Sequence, residues 1–497
     1  MPSANATIDS ELVTNLVKQI KGVIPDETLR KDEEQALNAL LLDLIQTREV
    51  VVGPNTVTML QVQIAQIDEE LSLLLNAILH DKDFQKLEAT WRGLHSLVKN
   101  TETGTGLKLR VMHATQKELR VDLESAIDFD QSALFKKVYE EEYGTFGGHP
   151  FSLLIGDYEF THSPEDVALL TNLSNVAAAA HAPFLAAASP QLFGLKDGNF
   201  TGLDVPRDLA MRFEASDMIK WRSFRETEDS RYVTLVLPRV LMRLPYGKAT
   251  VPVDGFTFEE DLSVAGNGGD GAKAHGNYLW GNAVWKLGER ITHAFSLYGW
   301  CAAIRGFEGG GTVSDLPLHT FTTDSGEDAV KIPTELAITD RREKELNDLG
   351  FLALVYRKGD DKAVFFGSQT TNKPTKYASL DATANAQVSS MLPYLLAASR
   401  FAHYIKAMMR DKVGSFMTRG NVASFLNNWI SDYVQLNDEA SQDIKARQPL
   451  REARIDVTEV PGKVGSYKAV VYLKPHFQLN ELNASIRLVA SLPPPAA

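Results

Sequence analysis

The sequence contains almost no cysteine and has no leader-like N-terminus. Its 497 residues include one cysteine, Cys301, which cannot form a disulfide within the chain, so a reducing compartment is favoured. No base accompanies this thiol in the sequence, and we do not expect it to be a nucleophile. Residues 1–16 lack the basic region and the apolar run of a signal peptide. We therefore expect a cytoplasmic protein.

A membrane-spanning segment is also lacking. The longest uncharged stretch is VALLTNLSNVAAAAHAPFLAAASPQLFGL, which contains polar residues and is interrupted by Pro183, Pro190 and Gly194. The pattern predicts a helix followed by a buried strand, and direct membrane insertion is not expected.

Basic clusters are missing as well. The net charge is −13, from 51 lysine and arginine residues and 64 aspartate and glutamate residues. A nucleic-acid-binding protein needs a basic surface that replaces the counterions of the phosphates, and no lysine-rich or arginine-rich run provides one. Nucleic acid is therefore not an expected partner. Hydrophobic residues make up 44% of the chain, enough for large cores, and the length suggests about three domain-sized units.

Patterns that carry catalytic chemistry or bind cofactors are not found. The glycine-rich stretches within 254–278 and 306–317 lack the Gly-Lys-Ser/Thr of a phosphate-binding loop. The eleven histidines show no metal-binding spacing on a helix, and no Gly-x-Ser-x-Gly occurs. The carboxylate pair Glu259–Glu260 is predicted to be solvated in a surface loop. We expect no metal, no cofactor and no enzymatic activity.

The succession of helical and strand patterns predicts a mixed α/β fold. Helical periodicity covers much of the first hundred residues, and LKLRVMHATQKEL (107–119) alternates as a strand does. Three buried strands are then predicted, in PFSLLIGDYEF, APFLAAAS and RYVTLVLPRVLMRLP. Between the first two, a helix is predicted to begin at Ser163 and Pro164. Strands separated by helices predict a mostly parallel or mixed sheet, and FLALVYRKGDDKAVFFGSQT predicts a hairpin.

The C-terminal region changes from helical to β character. Two helices are predicted, in 387–416 and 422–436, and three strands follow, in REARIDVTEV, SYKAVVYLKP and NASIRLVASL. In the last of these, Ile486, Leu488 and Ala490 share one face. A terminal strand is readily donated to another chain, because its backbone groups stay unpaired until a sheet accepts it.

FQKLEATWRGLHSLVKN (84–100) predicts an amphipathic helix. Glu88 and Arg92 lie one turn apart and can form an ion pair, and Gly93 permits close approach of another backbone. We interpret the segment as a packing or interface helix, and not as a catalytic site. Its large apolar residues follow the spacing of a single helical face: Phe84, Leu87, Trp91, Leu94 and Val98.

A second amphipathic helix is predicted near the N-terminus, in DSELVTNLVKQIKGVIP. Ser10 is its predicted cap, and Gly22 and Pro25 end it. A helix this short is marginal alone, so its apolar stripe either packs on its own domain, the commoner case, or enters a groove of a partner. The stripe consists of Leu12, Val13, Leu16, Val17 and Ile20.

Several of these stretches resemble the large subunit of the type VI secretion contractile sheath, the TssC/VipB family. The resemblance begins with LEATWRGLHSLV and continues in order through YLWGNAVWKL, YGWCAAIRGFEGGG, DLPLHTF, PTELAITDRREKEL, LGFLALVY, ATANAQVSSMLPYLLAASRFAHYIKAMMRDKVGSF, LNNWISDYV and PLREARIDV. It covers about residues 80–475. The first sixty residues, the loop in the 260s and the extreme C-terminus diverge.

The resemblance implies a structural subunit with an α+β fold, a phage tail sheath-like core and an N-terminal helical arm. The implied domains are the arm at 1–60, a core domain at 61–148 and 378–497, and an outer α/β domain at 149–377. Such a protein pairs with the small sheath subunit TssB (VipA) and polymerises around the Hcp tube in the bacterial cytoplasm. The sheath is attached to an envelope-anchored baseplate, propels the tube by contraction, and is disassembled by the ClpV ATPase.

The resemblance also implies two sets of site residues. The helix that ClpV recognises would be 10–21, with Leu12, Val13, Leu16, Val17 and Ile20 in contact, so this stripe would bind a partner instead of its own domain. Neighbouring protomers would be joined by exchanged strands: the C-terminal strand of one copy and an N-terminal strand of the small subunit would join REARIDVTEV and SYKAVVYLKP of another copy. The strand-exchange residues would be Ile455, Val457, Val470, Tyr472, Ile486, Leu488 and Ala490.

Two alternatives remain from the sequence. An enzyme could use the glycine-rich loop at 254–278, although the missing catalytic patterns weigh against it. A specialised sheath-like paralogue or a phage tail sheath is the other, and the extent of the TssC-like motifs favours the secretion system.

Overall fold

The computed structural model describes residues 56–204, 208–262, 275–322, 326–415, 417–461, 466–476 and 478. The chain divides into two compact units, 1–75 with 254–258, and 76–253 with 259–497. Of the first unit, the described part is 56–75, which belongs to the first helix, and 254–258.

Helices and strands are interspersed along the described chain. The helices are α1 Thr56–Leu79, α2 Lys82–Lys99, α3 Gln116–Ser125, α4 Pro164–Ala180, α5 Leu209–Glu214, α6 Ile219–Arg225, α7 Val284–Tyr298, α8 Asp340–Asp348, α9 Leu380–Ser389, α10 Leu392–Asp411, α11 Arg419–Ser431 and α12 Gln442–Arg447. A further helical stretch, Ala133–Phe135, continues as a π-helix over Lys136–Tyr143.

The strands form one large sheet and three small ones. They are β1 Leu154–Phe160, β2 Phe184–Ala188, β3 Val233–Leu237, β4 Val240–Leu241, β5 Trp280–Gly281, β6 Thr312–Val313, β7 His319–Thr322, β8 Asp328–Lys331, β9 Phe351–Tyr356, β10 Ala363–Phe365, β11 Leu450–Glu459 and β12 Tyr467–Pro475. The large sheet has the order β1-β2-β3-β9-β10-β6, and the pairs β4–β5, β7–β8 and β11–β12 stand separately.

The large sheet is mixed, as the sequence predicts. Strands β1, β2, β3 and β9 pair in parallel, and β10 pairs antiparallel with both β9 and β6. Every residue of β2 and β3 is buried, which is typical of parallel strands covered on both faces. The predicted start of α4 is confirmed, because the Ser163 hydroxyl accepts a hydrogen bond from the Asp166 amide and Pro164 follows.

Hydrophobic cores cover both faces of the sheet. One face carries a large core that includes Phe160, Trp221 and Phe351, and the indole of Trp221 stacks on the ring of Phe351 with centroids 5.8 Å apart. On the other face, Leu185 and Val236 join a second core with residues of α7. A third core lies among α10, α11 and the β11–β12 pair.

Two expectations about elements were wrong. The strand predicted at 107–119 is not in a ladder: its last four residues begin α3, which opens with a capping box between Thr115 and Glu118, and 107–114 form no strand or helix. The helix predicted over 387–416 is broken at Ser390, since Met391 bridges to Gln369 and Pro393 begins a new helix, α10.

Candidate assembly surfaces

Helix α2 contacts α7 through small side chains. Its buried residues are Ala89, Gly93 and Leu97. A Cβ atom at position 93 would overlap the indole of Trp285 in α7, so only glycine fits there. Gly93 thus marks a close approach, but of a side chain and not of another backbone as the sequence predicts.

The large apolar side chains of α2 lie on a different face, and most of that face is exposed. Leu87 and Trp91 are 56% and 62% exposed, and Phe84 and Val98 are exposed as well. Leu94 is half-buried against the core beneath α7. The described part of the chain thus leaves the expected apolar face largely uncovered, and its role as an interface stays a prediction.

A row of paired charged side chains runs along the flank of α2. The predicted pair is confirmed, since Arg92 Nε lies 2.7 Å from Glu88 Oε1. Glu88 also accepts from Arg243 Nε at 2.8 Å, and Arg243 Nη1 donates to Glu260 Oε2 at 2.6 Å. The expectation that Glu260 is solvated was wrong, because this side chain is buried and also accepts the Tyr246 amide at 2.9 Å. Pairing with Arg243 offsets the cost of burying its charge.

A groove of about 1860 Å³ lies beside the edge strand β1. Leu87 and Trp91 of α2 form one side, and residues 107–114 form another. Strand β1 has one neighbour, β2, among the described strands, so alternate backbone groups along its other edge point away from the sheet.

One wall of the groove is polar and buried. The Thr90 hydroxyl donates to Asp157 Oδ2 at 2.5 Å, and burial raises the pKa of this carboxyl. Asn282 and Trp285 also line the groove and are 7% and 8% exposed. Asn282 and Trp285 donate toward the Asp157 carboxyl, and these hydrogen bonds oppose the effect of burial on its pKa.

The β11–β12 pair forms a ladder with one packed face. Ile455 of β11 pairs with Val471 of β12 and, with Val457, belongs to the third core. Val470 and Tyr472 lie on the opposite face and are exposed. The strands predicted in REARIDVTEV and SYKAVVYLKP are therefore confirmed, whereas strand exchange stays a prediction.

The outer edge of β11 is already bonded within the chain. The Asn427 side chain of α11 accepts from the Ile455 amide at 3.0 Å and donates to the Ile455 carbonyl at 2.8 Å. Closer to the start of β11, the Leu450 amide donates to Tyr433 and its carbonyl accepts from Gln435. Nothing in the described part of the chain bonds the outer edge of β12 in this way along Lys468–Lys474.

The described residues offer little to catalysis. Burial raises the pKa of the Cys301 thiol to about 11, so the thiolate nucleophile is disfavoured. Within the described ranges, no group of His, Cys, Asp and Glu side chains could hold a metal ion, and none of the described helices is long and apolar enough to cross a membrane.

Two sets of predicted site residues cannot be placed. Leu12, Val13, Leu16, Val17 and Ile20 lie outside the described residues. The same holds for Ile486, Leu488 and Ala490, and for residues 263–274 of the glycine-rich loop. The buried donors Asn282 and Trp285 and the strand-bonding Asn427 were missed, because a single polar residue in an apolar segment has no spacing that reveals its partner.

Comparison with known families matches almost the whole described chain. Residues 61–372 match the family described as EvpB/VC_A0108, tail sheath N-terminal domain, and residues 381–492 match its tail sheath gpW/gp25-like domain. A curated relative, the type VI secretion system sheath protein TssC1 of Pseudomonas aeruginosa, is 44% identical over 487 residues, which are 97% of this chain and 95% of the relative.

Solved structures give more distant likenesses. A chain of the anti-feeding prophage baseplate aligns with a TM-score of 0.35 at 11% identity, over 65% of this chain and 66% of that chain. The contracted sheath complex of the PVC extracellular contractile injection system aligns with a TM-score of 0.35 at 8% identity, over 64% of this chain and 68% of that chain. The sequence matches alone carry the assignment of a family.

Proposed function

The chain belongs to the EvpB/VC_A0108 tail sheath family of type VI secretion, and we propose that it is the large sheath subunit, which pairs with the small sheath subunit TssB (VipA). Membership makes it a structural subunit of a contractile sheath. No enzymatic step, metal or cofactor enters this function.

The observation that supports the pairing is the apolar surface that the chain leaves uncovered. Leu87 and Trp91 of α2, and Val111, are all exposed, although each is a large apolar side chain. Exposed apolar surface of this extent marks an interaction site in a folded protein. A permanent partner that covers this surface would remove its apolar side chains from water.

In the proposed sheath, heterodimers polymerise helically around the Hcp tube, in the cytoplasm and attached to a baseplate anchored in the envelope. Contraction rotates and repacks the subunits and propels the tube. Strand exchange keeps neighbours connected during this movement, because ladder hydrogen bonds persist while the flanking linkers bend.

We assign the exchange to the β11–β12 ladder and a donated C-terminal strand. The residues are Ile455, Val457, Val470, Tyr472, Ile486, Leu488 and Ala490. The ladder supports the assignment because two strands alone are marginally stable and gain from further strands.

We assign disassembly to the helix at 10–21, whose stripe of Leu12, Val13, Leu16, Val17 and Ile20 would bind ClpV after contraction. The amphipathic pattern supports this assignment, since partner grooves recognise such stripes. The proposed domains are 1–60, 61–148 with 378–497, and 149–377. The junction between the two family matches, at 372–381, supports the boundary at 377–378.

Co-expression with the small sheath subunit tests the function. We expect a stable complex on purification and tubules in negative-stain electron microscopy. A chain that forms neither would refute the proposed pairing.

Two variants separate the finer roles. Deletion of 483–497 should leave the heterodimer in solution and abolish tubules, and normal tubules from this variant would contradict the strand-donor assignment. Replacing Leu16 and Ile20 by Asp should leave tubules intact and prevent capture of ClpV, whereas undiminished capture would reject the assignment of the helix.

A further inference from the structure

Residues 107–114 have the alternating sequence of a strand, yet they pair with none of the described strands. Leu109 packs with the core on the α7 face of the sheet, and Ala114 packs with the core on the opposite face. Odd and even positions therefore turn to opposite faces, as they do in a strand lying in the plane of a sheet.

This segment runs alongside β1 in the same direction. Lys108 meets His149, the Arg110 guanidinium lies over the ring of Phe151, and the Ala114 carbonyl accepts from the Tyr158 hydroxyl at 2.7 Å. Each of these contacts uses a side chain. No backbone hydrogen bond joins 107–114 to 149–160 in the described structure, so the two segments are neighbours that do not pair.

Both segments line the groove of about 1860 Å³. Trp91 and Val111, which are 62% and 68% exposed, provide apolar surface. Asn282 and Trp285, both nine-tenths buried, hydrogen-bond to the Asp157 carboxyl and make this part of the wall polar. A site built from apolar walls and unpaired strand edges fits a chain that brings apolar side chains and backbone hydrogen-bonding groups.

The groove is cationic at the end near residues 149–152. Lys108 and Arg400 line it and have no carboxylate within ion-pair distance in the described chain; Arg400 donates to Ser152 and to Tyr404 instead. Arg110 is neutralised by Glu142. An acidic side chain on the incoming segment would complement Lys108 and Arg400.

We propose that the groove receives a β-strand of the small sheath subunit, inserted between β1 and residues 107–114, with alternating apolar side chains and an acidic residue at the 149–152 end. The inference rests on the proposed pairing and specifies where and how the partner binds. An inserted strand bonds to the strand on each side, so it turns the six-stranded sheet into one of eight strands. The donated C-terminal strand of this chain already has a place at the β11–β12 ladder.

Hydrogen–deuterium exchange locates the strand. The chain alone and its complex with the small sheath subunit are compared by mass spectrometry. We expect slower exchange in both 107–114 and 154–160 in the complex. Unchanged exchange in these two segments of a purified complex would overturn the groove assignment and leave the pairing intact. Absence of any complex would overturn both.

Two substitutions test the same point by capture. Met112→Pro removes an amide from the edge that pairs, and Trp91→Glu places a charge on the apolar wall; both residues are exposed, so the fold should be spared. We expect each to weaken capture of the small sheath subunit about tenfold or more. The matched controls Lys376→Pro and Met211→Glu change exposed residues away from the groove and should bind as the original chain does.

Circular dichroism of each variant establishes that it is folded. Folded Met112→Pro and Trp91→Glu variants with full capture would overturn the proposal. Truncation after residue 478 excludes the chain's own tail: faster exchange at 107–114 in the truncated chain alone would show that the tail fills the groove, and would also overturn the proposal. The same holds if exchange there slows with rising concentration of this chain alone, which would indicate a second copy.

Discussion

The large sheet and the β11–β12 ladder differ in how far the chain itself completes them. Every residue of β2 and β3 is buried, and cores cover both faces of that sheet. No residue of β12 is buried, and the ladder has one packed face and one exposed face. The stability of the subunit should therefore reside in the sheet, and its capacity for assembly in surfaces such as the ladder.

Substitution of Phe351 should have the largest effect on stability. Its ring is fully buried between those of Trp221 and Phe193. Phe351→Ala should lower the free energy of unfolding by about 4 kcal/mol, through lost burial and a cavity. Urea unfolding followed by circular dichroism measures it. The control Tyr472→Ala, in the exposed face of β12, should cost less than about 1 kcal/mol. Equal losses of unfolding free energy in the two variants would contradict the expected difference in stability between the large sheet and the ladder.

Acid should weaken the contact between α10 and the end of α4, which we call the His403 seam. His403 of α10 lies 2.8 Å from the carbonyl of Ala180 at the end of α4, and burial lowers its pKa to about 4, with His181, Arg400 and Lys406 adding to the effect. The folded state thus favours the neutral imidazole. This stability is fully present above the unfolded pKa of about 6.5 and is lost as the pH falls toward 4.

The expected loss is roughly 2–3 kcal/mol between pH 6.5 and 4, measured as the urea midpoint at each pH. In His403→Gln this part of the pH dependence should vanish. The control His95→Gln changes an exposed imidazole, and this variant should retain the full pH dependence of the original chain. A pH profile that is the same in His403→Gln and the original chain would refute the role of this seam.

Asn427 should matter to the ladder and little to the sheet. Asn427→Ala removes both hydrogen bonds to Ile455 and should cost about 1–2 kcal/mol. Hydrogen exchange should become faster in β11 and stay unchanged in β3. The neighbouring Asn428→Ala alters an exposed residue of the same helix and serves as the control. Faster exchange throughout the chain would mean that ladder and sheet unfold together.

The smallest effect on stability is expected for Val471→Pro. Both backbone groups of Ile455 point to Asn427, so Ile455 and Val471 form a non-hydrogen-bonded pair and the Val471 amide points outward. Proline there should cost less than about 1 kcal/mol, yet it should abolish tubules because an incoming strand loses this donor. The matched Val470→Pro interrupts the ladder itself and should lower the melting temperature more. Tubules formed by Val471→Pro would contradict addition of a strand to β12.

Much of the fold could be predicted from local patterns. The hairpin β9–β10 and the strands β11 and β12 follow from alternation and turn residues, and α4 follows from its cap at Ser163. The start of α3 could also have been found, because Thr115 and Glu118 show the spacing of a capping box.

The candidate surfaces could be predicted less well, because they depend on distant partners. The large apolar side chains of α2 suggested its packed face, but the small residues Ala89 and Gly93 decide which face can approach α7. Glu260 lies in a polar stretch, and its burial depends on Arg243, seventeen positions away. Residues 107–114 show the alternation of a strand, and no local pattern reveals that they pair with none of the described strands.

Asn427 closes one edge of the β11–β12 ladder and leaves the other edge open. Its amide occupies one side of β11 as a neighbouring strand would, and residues 433–435 extend that closure, so in the described part of the chain the open edge of this small sheet is that of β12. If each subunit accepts a strand at the β12 edge alone, the row of joined subunits has a direction and does not branch. A row of subunits joined through such ladders therefore has two unlike ends, one that presents an open β12 edge and one that does not.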